Sequence, residues 1–307
     1  MAASRESRPR STQPVGAASY YGRPILEQPT WTWQIPVYFF TGGMAGGTAV
    51  LGAVARIAGN DELARRATYV SMAAITVSPA LLISDLGRPD RFLNMLRVFK
   101  PTSPMSVGTW IVSGAGVSAG VAGTCDLLRV LPRVRDLGEA VSALLGPFLS
   151  TYTAVLVADT SIPVWHEARR ELPFVFAGSA AASAGAAVAM ATPARSAGPA
   201  RRLAVAGAAV ELASATAMER RLGFLGEPYR QGEAGGYARL AKGLTAGGAA
   251  VLALAGRRRA GALVGGALVL GGSLAERWSV YRAGFQSARD PRYVVQPQRA
   301  RVLERSP

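Results

Sequence analysis

The sequence predicts an all-α membrane protein of about eight transmembrane helices arranged as two four-helix bundles. Three observations carry this reading. Half of the 307 residues are hydrophobic. The 34 Lys and Arg, against 19 Asp and Glu, fall in short clusters between apolar runs. A multi-span membrane protein distributes charge in that way, whereas a nucleic-acid-binding protein gathers it on one face or in one block, so no nucleic-acid partner is expected. Ala and Gly supply much of the apolar content, and such small residues let membrane helices approach closely.

Residues 1–30 hold Arg5, Arg8 and Arg10 among Ser and Pro, with no apolar h-region, and are read as a polar N-terminal tail without a cleavable signal peptide. Trp31 and Trp33 then mark the membrane interface, where aromatic belts sit. A span needs about 20 mostly apolar residues. Candidate spans lie near 36–58, 67–84, 106–125, 139–160, 172–192, 202–219, 240–256 and 260–281. The first bundle is taken as 31–165, the second as 166–281, and 282–307 as a basic C-terminal tail. A linker, Pro193 to Pro199, is read near the division of the two groups. Outside the tails, Lys and Arg are shared almost evenly between the two sides. The positive-inside rule therefore leans only slightly toward cytoplasmic termini.

One cysteine, Cys125, and one histidine, His166, exclude much cofactor chemistry. An iron–sulfur cluster needs about four thiolates, and a bis-His haem or a Cys/His zinc site cannot be built from this chain alone. No metal or haem ligation is expected. Electrons handled here would belong to a diffusible cofactor or to a partner's metal centres.

The residues that could carry chemistry cluster by topology. An apolar run over 69–83 ends in the charged turn Ser84-Asp85-Leu86-Gly87-Arg88-Pro89-Asp90-Arg91-Phe92. Ionisable groups at such a depth are costly and are usually there for a reason. Asp85 and Arg88, three apart, can pair with each other or with something arriving from the aqueous side. Gln34 and Tyr38 are four apart and share a helix face; Asp159 lies seven beyond Tyr152, two turns along much the same face. Spans two and four end on the side where span one begins. Gln34, Tyr38, Asp85, Arg88, Asp159 and His166 are therefore expected near one membrane surface. His166 is either an interfacial residue beside Trp165 or a group that exchanges protons near neutral pH.

The first span carries Gly42, Gly43, Gly46 and Gly47. No strand precedes them and no Lys-Ser/Thr follows, so they do not form a phosphate loop. They serve close helix packing, a groove for a flat ligand against bare backbone, or both. Glu211 lies in the middle of the sixth span. It is either a neutral acid bonded to a neighbouring Ser or part of a proton path.

With these residues in view, the chain resembles the NrfD/PsrC family, the integral-membrane subunits of polysulfide reductase and related molybdopterin oxidoreductases. The likeness rests on Trp31 and Trp33, the glycine-rich first span, the turn Asp85 to Phe92, Pro104-Met105-Ser106-Val107-Gly108-Thr109-Trp110, and Tyr152-Thr153 through Pro163-Val164-Trp165. It covers the first four spans, the second half matching by hydropathy only. The resemblance implies a multi-pass subunit in the cell membrane that holds no metal and binds a quinone, menaquinone being one candidate. A ferredoxin-like four-cluster iron–sulfur subunit would dock at the quinone site and connect it to a molybdopterin catalytic subunit of formate dehydrogenase or polysulfide reductase type. It also places Tyr38, Asp85, Arg88 and Tyr152 in the quinone pocket, with Gln34 as an addition. Asp85, Asp159 or His166 would exchange protons, and Arg88 and Arg91 could instead be docking residues. No acidic residue lies inside span two, where some members carry a proton-path carboxylate, which leaves Glu211 as a partial substitute. Two other classes suit the same sequence: a secondary transporter built around Glu211, and a structural anchor without quinone chemistry.

Overall fold

The computed structural model describes residues 25–305, so most of the expected polar tail lies outside the described residues. The first helix, α1 (Gln34–Ile57), stops where Gly59 takes a left-handed φ of 74°. The Asn60 amide there donates back to Ala55 O at 2.9 Å. Asn60 also starts the next helix, α2 (Asp61–Asp85), its side chain accepting from the Leu63 amide at 3.2 Å. Asp61 and Glu62 follow in the first turn, where negative charge complements the helix dipole. At the far end the Asp-Leu-Gly-Arg-Pro turn breaks the chain through Gly87, at φ 65°. A 3₁₀ turn (Pro89–Arg91) and a single-turn helix α3 (Phe92–Met95) come next. Prolines open α4 (Pro104–Leu128) and α5 (Pro132–Ala158) at positions where no intrahelical N–H bond is lost.

A short helix, α6 (Pro163–Glu167), leads into α7 (Leu172–Ala191), α8 (Gly198–Leu222), α9 (Gly232–Ala255), α10 (Arg259–Arg289) and α11 (Arg292–Arg305). The segment read as a basic tail, 282–307, is thus helical through Arg305 apart from a break at Asp290–Pro291.

Helices α1, α2, α4 and α5 pack on one another, as do α7, α8, α9 and α10, and the two sets meet along a seam of α1 and α5 against α7, with α10 touching α1. Helices therefore stand at all eight expected positions. Six of them are long and apolar enough to cross a membrane: α1, α2, α4, α5, α7 and α9. The count of eight spans is reduced to six on that measure, because charge dilutes α8 (Arg201, Arg202, Glu211, Glu219, Arg220, Arg221) and α10 (Arg259, Glu276, Arg277, Arg282, Arg289). Both of these helices pack against α7 and α9, and Glu211 of α8 and Glu276 and Arg277 of α10 are buried.

The glycines of α1 face two different partners. A Cβ on Gly46 would collide with Gly146 O and Ser150 Oγ of α5, and one on Gly47 would lie 2.8 Å from Ala180 O and Ala184 Cβ of α7. Close packing is what these two positions do, and it brings α1 near enough to α5 for their side chains to enclose a common space.

At the opposite end of the first set, buried acids are paired. Glu139 accepts from Arg56 at 2.6 and 3.0 Å and from Thr68 Oγ1 at 2.9 Å. Asp126 accepts from the Tyr69 hydroxyl at 2.8 Å and faces Arg65 and Arg135 at 3.3 and 3.5 Å. Two carboxylates are thereby buried without being left uncompensated.

Candidate functional site

A cavity of about 230 Å³ opens where α1 and α4 begin and α2 and α5 end. Tyr38 and Phe39 come from α1, Leu82 and Asp85 from α2, Met105, Gly108 and Thr109 from α4, and Tyr152 and Leu156 from α5. The walls are mainly apolar and the few polar atoms converge. Such a combination is the usual character of a small-molecule site.

Tyr38 is 1% exposed, and its hydroxyl has no hydrogen-bond partner. A buried polar group left unpaired costs about 1–3 kcal/mol, so this phenol retains an unused hydrogen-bond donor beside the cavity. Asp85 does not pair with Arg88. Its Oδ1 accepts from the Thr32 amide at 3.1 Å and from the Thr32 hydroxyl, which also contacts Gln34 Oε1. The turn preceding α1 is thus tied to the last residue of α2. It is also clamped from the second half, where Tyr281 donates to Trp31 O at 2.6 Å, and Trp31 stacks on Trp165 at 5.5 Å.

The structure brings three of the expected site residues, Tyr38, Asp85 and Tyr152, to one cavity. Gln34 stands beside it through Thr32. Arg88 is exposed and does not line it. Asp159 lies on an outer groove between α4 and α5, and His166 on a separate surface hollow with Ser161, Glu167 and Tyr293. Trp165, read as the neighbour of an interfacial residue, is 1% exposed and donates through Nε1 to Val280 O at 2.7 Å. Gly284 makes room for its indole, since a Cβ there would overlap the ring.

Glu211 is not alone. It is 2% exposed and accepts from Thr245 Oγ1 at 3.2 Å and Ser273 Oγ at 3.4 Å. Glu276 and Arg277 of α10 are buried within electrostatic reach of it. Arg277 donates to Glu276 Oε2 at 3.1 Å and to Phe176 O at 3.0 Å, with its guanidinium 3.6 Å above the Phe176 ring. A cavity of about 20 Å³, room for one water, touches Glu211, Glu276 and Tyr229, whose buried hydroxyl is unpartnered, and ends at the Glu219–Lys242 ion pair. Phe176 in turn packs on Phe39, 5.9 Å between ring centres, so this polar centre touches the wall of the first cavity through two rings.

Sequence reasoning missed Thr32, Tyr281, Glu276, Arg277 and Tyr229. For Glu276 and Arg277 a signal was present, an acid–base dipeptide inside an apolar span. For Thr32 there was none, since an ordinary threonine becomes informative only once α2 ends beside it. Among the described residues no group of three or more His, Cys, Asp or Glu is placed to hold a metal.

The fold and cavity define a multi-pass helical membrane protein with a largely apolar site at one end of its bundle. Residues 17–289 match the family model described as polysulfide reductase, NrfD type. The chain belongs to that family, and membership extends over both halves, beyond the first four spans on which the sequence resemblance rested. The family points to a membrane subunit of a molybdopterin oxidoreductase complex. No curated protein matches the chain.

Proposed function

We propose that the cavity between Tyr38 and Tyr152 holds the head group of a quinone, with menaquinone as one candidate, and that α8 and α10 cross the cell membrane with the other six helices. The observation that carries this is the buried, unpartnered hydroxyl of Tyr38, a residue that lines an apolar space of ring size. An apolar cavity of about 150 Å³ holds a benzene ring, so about 230 Å³ suits a substituted ring whose chain runs outside.

A bound quinone supplies a carrier of two electrons and two protons. Tyr38 donates a hydrogen bond to a ring oxygen and orients it, and Tyr152 closes the opposite wall. Asp85, held by Thr32 at the mouth, exchanges protons between ring oxygen and water, with Asp159 and His166 farther out on the same side. Glu211 stores a proton in the second half, where Glu276 is its neighbour. The electrons belong to a docked iron–sulfur subunit of the four-cluster ferredoxin type, which serves a molybdopterin subunit. The exposed Arg88 and Arg91 would serve as docking residues for it.

Tyr38→Phe separates this reading from a structural anchor. The change removes a hydroxyl that has no partner in the ligand-free protein, so the purified complex should assemble and melt at or above the wild-type temperature. Its KM for quinone should rise about 5- to 30-fold, the worth of one hydrogen bond of roughly 1–2 kcal/mol. Unchanged quinone-linked turnover in both Tyr38→Phe and Asp85→Asn would leave the anchor as the function. The cavity beside Glu211, one water in size, does not favour a transporter.

A further inference from the structure

The outward-facing groove that holds Asp159 measures about 340 Å³ and runs between the start of α4 and the end of α5. Val107 and Ile111 line one side, Phe148 and Val155 the other, and Asp159 its polar end. Phe148 and Val155 are exposed on segments apolar enough to lie in a bilayer. One residue, Tyr152, lines both this groove and the inner cavity. Its ring lies directly on Gly108, where an added Cβ would fall 2.7 Å from Cδ2 and 3.2 Å from Cζ. No hydrogen bond anchors its hydroxyl among the described residues. The two spaces therefore share one unanchored side chain, which rests against bare backbone.

We propose that the groove between α4 and α5 is the site through which an isoprenoid quinone passes from the bilayer to the cavity, with the Tyr152 ring as its gate. This rests on the quinone reading above and adds the route to it. The groove's apolar walls match an isoprenoid chain, and the Tyr152 wall that it shares with the cavity selects that occupant over an arbitrary lipid. A partly exposed aromatic side chain without a hydrogen bond changes rotamer far faster than a helix moves, so passage needs no separation of α4 from α5. Glycine at 108 lets the ring close flat. A methyl there props it outward and holds the gate ajar.

The test uses the assembled complex in lipid nanodiscs and menaquinone-4 as the probe, with binding followed by quenching of intrinsic Trp fluorescence in rapid mixing. A gate changes both rate constants and leaves affinity alone. Val155→Trp, which fills the groove, should slow association and dissociation at least ~10-fold each, with Kd within a factor of about two. Thr151→Cys, blocked with a bulky maleimide after assembly, should do the same and leaves folding out of the question. Gly108→Ala should quicken both rates. Val117→Trp, on the exposed face of α4 outside the groove, serves as the control and should bind at wild-type rates. Wild-type association in both groove variants would overturn the route while the quinone reading stands. Slower exchange in Gly108→Ala would overturn the gate. A wild-type complex that does not bind menaquinone-4 would overturn the quinone reading, and the route with it.

Discussion

Replacing Arg277 with Ala is expected to destabilise the folded chain by about 3–5 kcal/mol, the cost of breaking a buried ion pair from one side. Arg277 is 1% exposed and is the cation beside Glu276, itself buried, with Glu211 close by. Truncation removes the donor to Glu276 and a second donor to Phe176 O, and it empties the space above the Phe176 ring. Two buried acids then share one polar pocket whose remaining cation, Lys242, is already paired with Glu219. The double variant Glu276→Gln with Arg277→Met removes both charges and should recover most of the loss, because replacing a buried pair by neutral groups of similar volume is often close to neutral. Thermal melting of the detergent-solubilised protein reads both. Wild-type melting in Arg277→Ala alone would mean that the carboxylates are neutralised by some other route.

The second large effect belongs to Gly46. Gly46→Leu should abolish accumulation of folded protein, a loss of at least ~3 kcal/mol, because its Cβ meets the backbone oxygen of Gly146 and not the end of a flexible side chain. Gly42→Ala, four residues earlier in the same glycine stripe, should be tolerated or stabilise by about 0.5–1 kcal/mol. Its Cβ would lie 3.8 Å from the Tyr38 ring and 3.9 Å from Ser78 Oγ, which is ordinary contact. Membrane-fraction yield and melting temperature of the two variants check the contrast. Equal tolerance of both would show that α1 and α5 are not held at glycine distance.

That pair also marks how far the sequence could be read. Apolar runs, caps and prolines placed the eight longest helices, since each depends on residues within a few positions, whereas α11, without an apolar run, was read as tail. The Asp85–Gly87–Pro89 turn was legible for the same reason. Which glycine touches α5, which touches α7 and which leaves room for a methyl beside Ser78 of α2 depends on helix rotation, and that is set by contacts between distant residues, Gly46 with Gly146 being one. Asp85 illustrates the limit at the site. Its position was readable, whereas its partner was not: the sequence offered Arg88 three residues on, and the fold supplies Thr32 from 53 residues back. Glu211 was recognised as a buried acid because charge inside an apolar run is conspicuous. Its setting among Thr245, Ser273, Glu276 and Arg277 was invisible, since three helices contribute to it.

By itself the amino-acid sequence determined an all-helical membrane protein with polar residues of the first half near one surface. Periodic hydrophobicity and the charged turn that ends the second apolar run are enough for that. The tertiary structure alone decided that Tyr38, Asp85 and Tyr152 enclose one cavity, that Trp165 is core, and that Arg277 joins the two halves through Phe176 and Phe39. These are pairings between distant segments. They are selected by shape and by the need to satisfy buried charge, and neither is written in the spacing along a single helix.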